Sequence, residues 1–397
     1  MKLKSLANHN ISVLFWVQFF STVSFLQPIL TLFYFERGLT APDIFIVLLC
    51  WSSGVLVGEI PTGIFADRFG PKVAFITGAI IKLFSITLFL VAYDSWIFYI
   101  LSALSGLSAS FFSGADEALL YESLKESGEQ NKMDAAMGKV QSAGFISSLV
   151  TAIIGAIYAK DLQNDQFVVL ISLSIAAQLL VILLLFLIKS PPKVAESTQH
   201  PWKLLKLGAK EIYRTPQLLI MFMNVTLVFI PAVAVFDNFV QLLLTNEGLP
   251  VPFLGILYSC AALIGFFSSR SIGYLTNKFS SILLMYGTGF LSVGCLLLSA
   301  YFQDSLGMLL GVFLVLQFVR AIRYPIYSQI SNDIIPSHVR ATTISLLSIL
   351  DSVFDLIVFA SLYTVALSGF QSIFVGCAII ALIGTLLPIK KKFVQVE

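Results

Sequence analysis

Twelve stretches of this chain run for about twenty residues or more with few or no charges, near 11–35, 44–66, 73–93, 96–121, 138–159, 167–188, 217–243, 253–275, 282–302, 306–332, 341–364 and 370–389. A bilayer core about 30 Å thick needs roughly 20 apolar residues per spanning helix, so each stretch is long enough for one crossing. Outer-membrane barrels show short segments alternating apolar and polar residues, whereas these runs are continuously apolar. The expected fold is an all-α polytopic membrane protein. Of 397 residues, 57% are hydrophobic and 12% charged, where a soluble protein carries about a quarter charged residues. The connections leave no room for a separate catalytic or ligand-binding domain. The net charge of +2 gives no footprint for nucleic acid. The first span runs longer than a signal-peptide core and lacks a small-residue cleavage site, so it is read as retained. Cys50, Cys260, Cys295 and Cys377 are scattered through the spans without a C-x-x-C and read as packing residues.

With the N-terminus placed in the cytoplasm, Lys2, Lys4, Arg68, Lys72, Lys125, Lys132, Lys139, the 189–214 linker, Lys278, Arg340 and Lys390–Lys392 fall in one set of connections. Only Arg37 and Lys160 fall in the other. This bias predicts both termini on the cytoplasmic side. The longest break, 189–215, starts as a Pro/Ser-containing linker and then turns periodic through Lys203, Lys206, Lys210 and Arg214, as an amphipathic helix on the inner membrane surface does. It separates 1–188 from 216–397, six windows from six, and predicts two pseudo-symmetric six-helix bundles. An offset of 210 lays Gly63–Gly70 on Gly273–Ser280, and an offset near 206 lays Glu117 on Arg323 and Tyr121 on Tyr327.

Between the second and third windows the chain reads Gly63-Ile-Phe-Ala-Asp67-Arg68-Phe-Gly70-Pro71-Lys72. This resembles the G-x-x-x-D-R-x-G-R-[RK] signature of the major facilitator superfamily, and the six-plus-six pattern with its central linker extends the resemblance to the full length. The departure is at Pro71, where the family usually has a basic residue. The resemblance implies a secondary transporter whose halves rock around a cavity lined by helices 1, 4, 7 and 10. It also implies a cytoplasmic gate motif of Gly63, Asp67, Arg68, Gly70 and Lys72. There Asp67 would accept hydrogen bonds from backbone N–H groups near Ser337–Ala341 at the positive end of helix 11.

An ionisable group deep in a span costs something like 2.5–3.5 kcal/mol on insertion scales, so each is a functional candidate or half of a buried pair. Counting about 1.5 Å per residue from the helix ends puts Glu59, Lys82, Asp116 and Glu117 in one layer. The same count pairs Arg320 with Asp355 and Arg323 with Asp351, either as structural locks or as substrate and proton handlers. Three carboxyls against one lysine make Glu117, then Asp116 and Glu59, the proton-coupling candidates. Gln18, Ser21, Ser24, Gln27 and Thr31 form a polar stripe on helix 1. With Asn224, Asp237, Gln241 and Arg320 they supply the substrate-cavity candidates, Asp237 lying toward the wetted outer end of its span. No histidine lies in a span, and no metal, nucleotide or hydrolase motif is present.

These residues predict a non-enzymatic transporter without cofactor or metal, a monomer in the bacterial cytoplasmic membrane, moving a small organic molecule in exchange for protons. The bacterial-exporter likeness lies in Ser113–Leu124 and favours efflux, although the G-P-x-x-G-G pattern of proton antiporters is missing from helix 5. Proton-coupled uptake of an organic anion or nutrient is the second reading, since Arg320 and Arg323 could bind a carboxylate or phosphate. A membrane sensor or scaffold that tolerates loss of Glu117 and Arg320 is the third.

Overall fold

In a bilayer every backbone N–H and C=O must be paired within the protein, which turns long apolar runs into helices. The structure, a computed structural model, describes residues 6–113, 115–129, 132–189, 210, 212–335 and 340–389. Within these it leaves undescribed the side chains of 67, 115–118, 134, 269–270, 277, 329, 332–333 and 340–342. The helices are α1 Leu6–Ser21, α2 Leu30–Glu36, α3 Ala41–Phe69, α4 Pro71–Leu88, α5 Ser95–Phe112, α6 Ala115–Glu126, α7 Met133–Tyr158 and α8 Asn164–Phe186. They continue with α9 Pro216–Phe229, α10 Phe236–Asn246, α11 Val251–Lys278, α12 Ser281–Tyr301, α13 Leu306–Ile334, α14 Arg340–Ala366 and α15 Phe370–Leu386. Among the described residues ten helical stretches are long and apolar enough to cross a membrane, with α15 as a shorter apolar helix. The remaining crossing is assembled from α1, the 3-10 turn Gln27–Ile29 and α2. The protein is a multi-pass, all-α membrane protein with the twelve crossings that the apolar windows predict.

Three of those windows are not continuous helices. The first crossing breaks after Ser21 and resumes at a turn carrying Pro28. The fourth breaks at Ser113, whose ψ of 118° leaves the helical region before α6 begins. The seventh holds a π-helical turn, Ile230–Val235, between α9 and α10; Pro231 in it has no N–H to give the helical ladder. Hydropathy reports immersion in lipid and is blind to these interruptions.

The connection between the second and third crossings is shorter than its charges suggest. α3 continues through Asp67 and Arg68 to Phe69, and Gly70 alone, at φ 90°, links it to Pro71 at the start of α4. A side chain at position 70 would be strained in that left-handed conformation, and Pro71 suits the first helical position. The signature is thus a helix end with a one-residue hinge.

Two compact units account for the chain. The first comprises Met1–Leu39, Val47–Thr198 and Val251–Ser259, and the second Thr40–Ile46, Gln199–Pro250 and Cys260–Glu397. In the first, α3 and α5 approach until a Cβ on Gly54 would meet Ala103 O and one on Gly106 would meet Trp51 O. Small residues permit such backbone contact in lipid, where no hydrophobic force draws helices together. Ser102 Oγ donates to Val47 O at 2.7 Å and Thr62 Oγ1 to Ser110 O at 2.9 Å along the same seam. The C-terminal carbonyls of α8 are met from elsewhere: Lys72 Nζ donates to Phe186 O and Ile188 O at 2.7 and 2.8 Å, and Asn10 Nδ2 to Lys189 O at 2.8 Å. In the second unit α12 and α15 meet at Gly289 and Thr385, and Tyr286 Oη donates to Leu387 O at 3.1 Å beyond the end of α15. Of the amphipathic helix expected between the halves, Lys203 and Lys206 lie outside the described residues, while Lys210 and Ile212–Arg214 are helical.

Candidate functional site

Inside the first unit lies a cavity of about 450 Å³ walled by α1, α3, α4, α5, α7 and α8. Gln18, Ser21, Thr22, Lys82, Ser105 and Gln178 give it polar lining, and Trp51, Phe75 and Phe112 aromatic lining. Lys82 Nζ donates to Ser21 O at 2.8 Å, the carbonyl left open where α1 ends. Cations favour that helix end, so one role of Lys82 is to finish the broken first crossing. Gln178 Nε2 donates to Ala79 O at 2.9 Å, and Ser105 pairs with Ser85 at 2.8 Å. Lys82 has no carboxylate partner among the described residues, although it was expected to share a layer with three. Glu59 Oε1 instead accepts from Ser113 Oγ at 3.2 Å, and its Oε2 is buried without a hydrogen-bond partner among the described residues. The side chains of Asp116 and Glu117 lie outside the described residues.

The second unit holds two polar clusters. In one, Asp237 on α10 accepts from Gln317 Nε2 at 2.9 Å on Oδ1, and Arg320 Nη1 stands 3.6 Å from Oδ2. The carboxylate is 18% exposed and the guanidinium 51%, so Asp237 is largely enclosed by protein instead of wetted. In the other, Arg323 is 2% exposed and, among the described residues, reaches only neutral acceptors. Its Nη1 donates to Met285 O at 2.5 Å and Thr288 Oγ1 at 3.1 Å. Nη2 donates to Asn224 O at 2.7 Å and also to Asn224 Oδ1. Asn224 Nδ2 in turn donates to Gly384 O at 2.8 Å and Thr385 O at 3.3 Å. One guanidinium therefore ties α9, α12, α13 and α15 together.

Of the expected rungs, Arg323 with Asp351 is not formed among the described residues. Arg320 takes Asp237 as its ion-pair partner and Arg323 takes the Asn224 group, while Asp351 accepts from Thr226 Oγ1 at 2.8 Å. Asp355 stays half-buried on α14. Equal depth places two residues in one layer, but rotation about each helix axis decides what they face, and depth counting leaves that rotation open. Gln18 lines the cavity inside the first unit; Gln27 is exposed at its turn, and Gln241 is buried on α10. Of the gate motif, Gly63 is exposed on α3, Arg68 sits 5.3 Å from the Phe69 ring centroid, and Lys72 caps α8. The Asp67 side chain and its expected partners at 337–341 fall among residues or side chains that are not described. Among the described residues no group of three or more His, Cys, Asp or Glu could hold a metal ion.

Gln317, Thr226, Thr288 and Gln178 do not stand out in the sequence, because a single Gln or Thr in an apolar run usually bonds its own helix.

Residues 12–357 match the family profile of the Major Facilitator Superfamily. No curated protein matches the chain by sequence. Among solved structures the chain is similar to the nucleoside transporter NupG, with TM-score 0.74, 14% identity, and coverage of 95% of this chain and 96% of that one. A POT family transporter in complex with 5-aminolevulinic acid gives 0.74 and 13%, covering 95% and 94%. A D-xylose-proton symporter gives 0.71 and 14%, covering 98% and 97%. At these identities the likeness is one of fold.

Proposed function

From the premise that the chain belongs to the Major Facilitator Superfamily, we propose that this secondary transporter couples protons to the uptake of a small organic anion. The observation that carries the reading is the Asp237–Arg320 pair. A half-exposed guanidinium within an apolar crossing belongs against water and not lipid, since ionisable residues in spans face the bundle interior or a wet cavity. Arg320 has one carboxylate to neutralise, and an anionic solute would compete for it. A proton on Asp237 removes that competition and frees Arg320 for the solute, so proton and anion load together and leave together. Such loading is symport, which ranks second in the sequence and first in this geometry. The D-xylose-proton symporter among the fold relatives is consistent with it. Alternating access of the two bundles would carry both ligands across. The lysine and arginine bias puts both termini on the cytoplasmic side in this reading, with the chain a monomer in a bacterial cytoplasmic membrane.

The test is uptake by proteoliposomes under an imposed pH gradient, with a labelled panel of carboxylates, sugars, nucleosides and cationic dyes. A carboxylate should accumulate when the outside is acidic, and an uncoupler should abolish the accumulation. Asp237→Asn should cut gradient-driven accumulation at least about tenfold, the scale of a typical coupling energy, while solute exchange without a gradient persists. Accumulation of a cationic dye in exchange for protons would overturn the uptake reading in favour of efflux. No movement of any solute in either direction would leave a sensor or scaffold.

A further inference from the structure

We propose that the cavity inside the first unit is a binding site for an amphipathic carboxylate, separate from the Asp237–Arg320 pair. The carboxylate would sit on Lys82 Nζ and the apolar body against Trp51, Phe75 and Phe112. An ammonium has three donors. Lys82 spends one on Ser21 O and meets no carboxylate among the described residues. A buried cation without a counter-ion is what an incoming anion compensates. Gln18 lines the same space and its side-chain amide has no hydrogen bond among the described residues. A volume of about 450 Å³ is within the range of pockets that enclose a small organic ligand. Among the described lining residues Lys82 is the one charged side chain, in a wall otherwise of apolar, hydroxyl and amide groups.

The second unit shows a buried cation whose partners are supplied by the chain. Asn224, Met285 and Thr288 close around the Arg323 guanidinium with their own acceptors. There the cation and its partners come from the same chain and use up the space. In the first unit the cation comes from α4 and the space beside it is open. The asymmetry assigns the first-unit site to an anion supplied from outside the described groups, one carboxylate wide with a short aryl or alkyl tail.

Binding can be measured without transport, on full-length protein in nanodiscs, by calorimetry with 3-phenylpropionate, octanoate and salicylate. At least one acid should bind, and its neutral amide should bind at least about tenfold more weakly, the discrimination expected of a charge-assisted hydrogen bond. Lys82→Met should erase the preference for acid over amide. Ala109→Leu, which narrows the cavity while keeping Lys82, should weaken acid and amide alike. Arg320→Gln should leave both affinities unchanged even where it abolishes uptake, so the binding site and the transport reading stand or fall separately. A preference for acid over amide that survives Lys82→Met in an Arg320→Gln background, or that disappears in Arg320→Gln alone, would overturn the proposal, as would failure of all three acids to bind folded wild-type protein.

Discussion

A buried arginine with neutral acceptors is costly to leave unserved. Arg323 and Asn224 form the tightest such unit, since Asn224 offers both its backbone and side-chain oxygens to Nη2 and anchors itself to α15. Truncating the acceptor strands the charge, and breaking a buried partnership from one side costs about 3–5 kcal/mol. Removing the charge as well relieves that penalty. Interhelical hydrogen bonds in membranes average about 0.6 kcal/mol, so the bonds themselves are the smaller part. Asn224→Leu should therefore lower the unfolding temperature in detergent markedly, and adding Arg323→Met should recover part of the loss. A double variant as unstable as the sum of its single changes would mean that the guanidinium is not the source of the strain. Arg323→Lys should not substitute for the wild-type residue, because a point charge cannot span acceptors on α9 and α12 at once.

Between helices the decisive contacts are made by the smallest residues. Gly54 and Gly106 let α3 and α5 touch through backbone atoms, with Ser102 and Thr62 bonding across the same seam. A side chain at Gly106 has Trp51 O in its way, an atom that moves only if α3 moves. Gly106→Leu should cost about 1–3 kcal/mol, the usual range for overpacking, read as lower yield of folded protein and a lower unfolding temperature. Gly265→Leu, at a glycine whose added Cβ meets nothing within 4 Å, is the control and should change little. Equal effects at both positions would sink the argument. This seam, like the breaks at Ser113 and Ile230–Val235, was hidden from sequence reading. The apolar windows around it were plain because hydropathy sums over about twenty residues, whereas a backbone contact or one extra residue in a helical turn is a single-position event.

Across the molecule the site was half legible. Charges such as Lys82, Arg320 and Arg323 stand out in spans because lipid penalises them. Their partners were missed because Asp237, Gln317 and Thr288 depend on rotation about helix axes, which the faint internal homology does not encode. For Gln18 on α1 and Asn224 on α9, the first helices of the two halves, the same change has opposite expected effects. Asn224 binds two carbonyls of α15 and the Arg323 guanidinium, so Asn224→Leu removes partners from a closed network. Gln18 faces a cavity beside a lysine already bonded to Ser21 O, so Gln18→Leu strands no buried group. Its cost should stay within about 0.5 kcal/mol, the scale of substitutions away from packed or bonded features. Thermal unfolding of both variants in one detergent separates the cases. Comparable losses would mean that the first-unit cavity is as tightly committed to the fold as the Arg323 network, leaving no room there for a ligand.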